Sequence, residues 1–119
     1  MQQRTIVEVS AEFRAEGHLP MLQLVELIKQ ADWMDQLVFD TSMLRLWASR
    51  KNANSVEIMV TYGDGRFGGR PSNMNLGTFD LSLLRNGAFE VSSSNDANAV
   101  LEKIRLWLDM QRPSAGTQQ

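Results

Sequence analysis

Met43-Leu44-Arg45-Leu46-Trp47-Ala48-Ser49-Arg50-Lys51-Asn52-Ala53-Asn54-Ser55-Val56-Glu57-Ile58-Met59-Val60-Thr61-Tyr62 is the stretch on which the fold turns. From Met43 to Ser49 the side chains alternate. Leu44, Leu46 and Ala48 fall on one face, and Arg45, Trp47 and Ser49 on the other. From Ser55 to Tyr62, Val56, Ile58, Val60 and Tyr62 alternate with Glu57, Met59 and Thr61. A period of two with branched side chains is the signature of half-buried strands. The polar link Lys51-Asn52-Ala53-Asn54 has the length and chemistry of a hairpin connection. If the aliphatic set faces a core, Trp47 and Met59 face outward, with Arg45 beside them.

Working outward, Leu37-Val38-Phe39 reads as a short strand or connection. Thr78 to Ser82 and Ala88 to Ser92 read as two further strands, with a turn or a single helical turn over 83–87 between them. Arg4 to Ser10, rich in β-branched residues, reads as a first strand. A helix follows Pro20 and runs to about Ala31, with Met21, Leu24, Val25, Leu27, Ile28 and Ala31 at helical spacing. Ser92-Ser93-Ser94-Asn95-Asp96 is a helix start in which Ser93 or Ser94 can cap. The helix it opens carries Ala97, Val100, Leu101, Ile104, Trp107 and Leu108 as one stripe and stops at Arg112-Pro113.

The predicted order is therefore β-α-β-β-β-β-α. The economical packing is a two-layer α+β sandwich: a mostly antiparallel sheet of four to five strands with two helices on one face. The other sheet face is open to water or a partner. Residues 1–112 form a single domain, and 113–119 form a disordered polar tail.

Gly63 to Gly77 holds five of the chain's eight glycines and cannot be regular structure. Its Gly63-Asp64-Gly65-Arg66-Phe67-Gly68 matches G-x-G-x-x-G after a strand. No helix follows, so the loop cannot set a pyrophosphate on a helix N-terminus, and dinucleotide binding is excluded. No Gly-Lys-Ser/Thr is present for a phosphate-binding loop. Long loops on small domains often carry binding residues, and Asp64, Arg66, Phe67 and Arg70 are candidates.

With 119 residues, no cysteine and one histidine, the chain has no disulfide, no thiolate metal site and no cysteine nucleophile. His18, between Gly17 and Leu19, reads as a surface or turn residue. The serines before the last helix sit in no nucleophile elbow. Asp32 with Asp35, or Glu12 with Glu16, are the carboxylate pairs that a hydrolase could use. No cofactor is implied. No apolar run is long enough for a signal peptide or a membrane span, which suggests a soluble cytoplasmic protein.

The net charge of −2 argues against a dedicated nucleic-acid binder. Residues 8–40 carry a net −5 and residues 45–70 a net +3, so the charge is unevenly distributed along the chain. These features suggest a protein-binding module without catalysis that neutralises or escorts a partner through Arg45, Trp47, Met59, Asp64, Arg66, Phe67 and Arg70. Bacterial immunity proteins that inhibit basic toxins have this size and charge. A homodimer through the open sheet face is compatible with the same pattern. The alternative is an anion or nucleic-acid binding domain that uses Arg45, Arg50, Lys51, Arg66 and Arg70, with Phe67 for stacking.

Overall fold

In the computed structural model, residues 4–42, 45–63 and 77–111 are described. Leu44, the four loop candidates Asp64, Arg66, Phe67 and Arg70, and the predicted tail lie outside them.

The predicted hairpin is present as β2 (Arg45–Arg50) and β3 (Ile58–Tyr62). Leu37–Ser42 forms β1, Phe79–Arg85 forms β4 and Ala88–Ser94 forms β5. The sheet is an antiparallel meander in chain order, β1-β2-β3-β4-β5. The β3–β4 ladder runs on past the strands, where Gly63 N donates to Thr78 O at 2.9 Å.

The N-terminal segment corrects the first-strand expectation. Ile6–Ala15 is a helix, α1, and it precedes α2 (Leu19–Lys29); α3 is Ala97–Gln111. Among the described residues, three α-helices therefore pack against the sheet where two were expected. The β-branched composition of 4–10 is overridden by a capping box. Glu8 N donates to Thr5 Oγ1 at 3.1 Å, and Thr5 N donates to Glu8 Oε1 at 2.8 Å. Once the helix is started, Ile6, Val9, Ser10 and Phe13 fall on one buried face at helical spacing.

His18 is a turn residue, as read, but it is buried rather than on the surface. It caps α2: its Nδ1 accepts from Met21 N at 3.3 Å. Its ring stands edge-on to Phe13 and Tyr62. Pro20 sits in the first turn of α2, where a missing N–H costs nothing. At α3 the cap is Asp96, whose Oδ1 accepts from Asn98 N at 3.0 Å; Ser94 Oγ accepts from Asp96 N. Ser93 stays in β5 and donates to Asp80 Oδ1.

One core holds the layers together. From the sheet it takes Phe39, Leu46, Ala48, Ile58, Val60, Phe79, Leu81 and Leu83, and from the helices Val9, Phe13, Leu24, Ile28, Val100, Ile104 and Trp107. The register puts these sheet residues on the same face, so all three helices cover that face. No helix of the described residues is long and apolar enough to cross a membrane.

Candidate interaction surface

The register that buries Leu46, Ile58 and Val60 turns Trp47 and Met59 to the opposite face. Asp40, Trp47, Met59, Ser82 and Val91 are successive partners and form one row across all five strands. Trp47 and Met59 are direct cross-strand neighbours. The Arg45 guanidinium carbon lies 5.9 Å from the Trp47 ring centroid, within cation–π range. The outward trio Arg45, Trp47 and Met59 is thus brought together as the alternation predicts. Among the described residues, no helix covers it.

The surface extends further than the sequence reading placed it. Phe89 and Val91 of β5 share this outer face and are 49% and 67% exposed. Between the Trp47–Met59 pair and Val91, Ser82 is buried. The alternation of Phe89 and Val91 with Glu90 was the signal that could have found them. Two carboxylates border the apolar row. Asp40 is engaged by Arg4 Nε at 3.2 Å, and Asp80 accepts from Ser93.

Of the basic stretch, the described Arg45 and Arg50 do not converge, and Arg66 and Arg70 lie outside the described residues. Arg45 and Arg50 lie at opposite ends of β2, about 17 Å apart at the strand rise, and on opposite faces. Arg50 is also neutralised locally. Its Nη2, Nε and backbone N donate to the Glu57 carboxylate at 2.6, 3.0 and 2.9 Å. Its guanidinium carbon sits 5.6 Å from the Trp107 ring centroid. Burial pushes the Glu57 carboxyl up, but the hydrogen bonds from Arg50 outweigh it and hold it below the ordinary value. Trp107 Nε1 in turn donates to Leu84 O at 2.8 Å. This constellation locks the end of the β2–β3 hairpin to α3.

The carboxylates considered for acid–base work are not paired with each other by any contact. Glu12 takes Arg4 at 3.3 Å, and Glu16, Asp32 and Asp35 are exposed. Among the described residues no group of acids and histidine is arranged to hold a metal ion. No family model, curated protein or solved structure matches the chain.

Proposed function

We propose that the chain is a protein-binding module that neutralises or escorts a partner docked on the outer face of its sheet. One observation carries this reading: a sheet whose helices all lie on one side presents Trp47 and Met59 as an adjacent pair on the other, with Arg45 stacked against the indole. Aromatic, methionine and arginine side chains are those that interfaces favour at their centres. A half-buried tryptophan–methionine pair on a sheet face that no described helix covers supports a docking surface.

The fitting occupant is a protein surface with an apolar protrusion ringed by positive charge. Asp40 and Asp80 border the row, and the chain is acidic overall, with Glu8, Glu12 and Glu26 carried by the helices on the other side of the sheet. Such a field speeds the capture of a basic partner. A basic toxin or effector has this chemistry.

The test is capture from the source cell's lysate on the immobilised chain, comparing wild type, Trp47→Ala/Met59→Ala and Val7→Ala. Val7 is exposed on α1 and serves as the control. The reading expects one protein at near-stoichiometric yield on wild type and Val7→Ala, and its loss from the double variant. Equal capture by all three chains, or capture of nucleic acid alone, overturns it.

A further inference from the structure

We propose that the chain forms a homodimer through β5, giving a continuous ten-stranded antiparallel sheet. This does not rest on the outer-face reading, and it leaves Trp47 and Met59 free.

The two edges of the sheet are treated differently. At β1 the edge is partly closed: Arg4 N donates to Phe39 O at 2.7 Å in an isolated antiparallel bridge, and the Arg4 side chain holds Asp40. At β5 nothing equivalent occurs among the described residues. The strand is seven residues long, contains no proline and no lysine, and carries exposed Phe89 and Val91. Sheets normally blunt such an edge with charge, proline or a bulge.

The hydrogen-bond phase of β5 is self-complementary. Asn86-Gly87 closes a two-residue hairpin, so Arg85 and Ala88 are its hydrogen-bonded closing pair. Alternation then turns the backbone groups of Ala88, Glu90, Ser92 and Ser94 toward β4. Those of Phe89, Val91 and Ser93 point out of the sheet. An antiparallel copy centred on Val91 sets Val91 against the partner's Val91, and Phe89 against the partner's Ser93. All three outward residues become hydrogen-bonded, about six bonds in total.

The charges agree with that register. On the helix side, Glu90 falls opposite the partner's Ser92. Ser92 Oγ already accepts from Lys103 Nζ at 3.2 Å, so each copy's lysine stands next to the other's Glu90. Glu90 is held toward this side by Arg85 Nε at 2.9 Å. The two-fold axis makes the contact twice.

The helices agree as well. α3 packs on both β4 and β5 and runs antiparallel to β5, with Lys103 at Ser92 and Met110 at Arg85. Joining two β5 edges separates the two α3 axes by about two strand spacings, roughly 10 Å, which is the distance of packed helices. The α3 flank beside Val91 carries Leu106, and Met110 follows one turn on; both are exposed in the single chain. The dimer covers them.

Sedimentation velocity of the full chain over a wide concentration range tests the proposal. Wild type is expected to associate to a dimer. Val91→Pro removes an outward N–H and no hydrogen bond to β4, so it should sediment as a monomer with a circular dichroism spectrum close to that of wild type. Glu90→Lys sets like charges together twice and should weaken association about tenfold, and Lys103→Glu in the same chain should restore it. The chain lacks cysteine, so Val91→Cys should cross-link on oxidation while Val7→Cys on α1 does not. A wild type that stays monomeric throughout overturns the proposal. So does a dimer that survives Val91→Pro, or cross-linking no faster at Val91 than at Val7.

Discussion

Replacing Glu57 tests the structural account at its most tightly built point. Its side chain is 6% exposed and accepts three hydrogen bonds from one residue, while the Arg50 side chain is 41% exposed. Hydrogen bonds to a charged group contribute about 1.5–3 kcal/mol net, and breaking a fully buried ion pair costs about 3–5 kcal/mol. Water reaches part of Arg50, so Glu57→Ala belongs near the lower figure, about 2–3 kcal/mol. Glu57→Gln keeps one carbonyl oxygen for Arg50 N and should cost about 1 kcal/mol.

The pH dependence has a definite sign. The folded carboxyl titrates below its ordinary value of 4.5, so its contribution is complete above that value. It disappears as the pH falls through the folded pKa. Urea denaturation at neutral pH, repeated down an acid series, reads both effects. The gap between wild type and Glu57→Gln should close in acid. A Glu57→Gln chain as stable as wild type at neutral pH, or a gap that widens in acid, would refute the reasoning.

Thr5→Ala removes half of the capping box and should cost about 1 kcal/mol in urea denaturation, with lost helical ellipticity. Gly87→Ala has open space for its methyl but a backbone φ of +82°, so it should destabilise by about 1 kcal/mol in the same assay through strain alone. Trp107→Phe loses the bond to Leu84 O, shrinks a fully buried ring and weakens the Arg50 stack, and should cost about 1–3 kcal/mol by thermal melting. Trp47→Ala removes a half-buried ring with its Arg45 and Met59 contacts and should cost about 1–2 kcal/mol. Because Trp33 and Trp107 are buried, the same substitution should remove most of the acrylamide-quenchable tryptophan fluorescence.

The sheet was legible where side-chain period and face coincide. The hairpin around Lys51–Asn54, its inward aliphatic set and its outward Trp47 and Met59 all follow from alternation. Residues 4–10 resemble a strand in β-branched composition, but the Thr5-x-x-Glu8 cap and the Ile6–Val9–Phe13 spacing decide for a helix. The end of β4 was misplaced for a related reason. Leu83 and Leu84 look like a helical turn, whereas Asn86-Gly87, with φ of 50° and 82°, is the left-handed pair that a two-residue hairpin needs. His18 could not be placed by its neighbours in sequence, since Tyr62, which its ring meets edge-on, comes from β3, far along the chain. Of the basic stretch, Arg45 and Arg50 point to opposite sides of one strand and Glu57 engages the second, a separation that sequence proximity does not show; Arg66 and Arg70 lie outside the described residues.

The most direct test of the outer-face account is methyl NMR of the chain with labelled methionines, titrated with the partner that wild type captures. Met59 lies on the outer face, Met21 in the core and Met110 on the α3 flank. At stoichiometric partner the Met59 methyl should shift or broaden while Met21 and Met110 hold their positions. An unmoved Met59 in a saturated complex would contradict it.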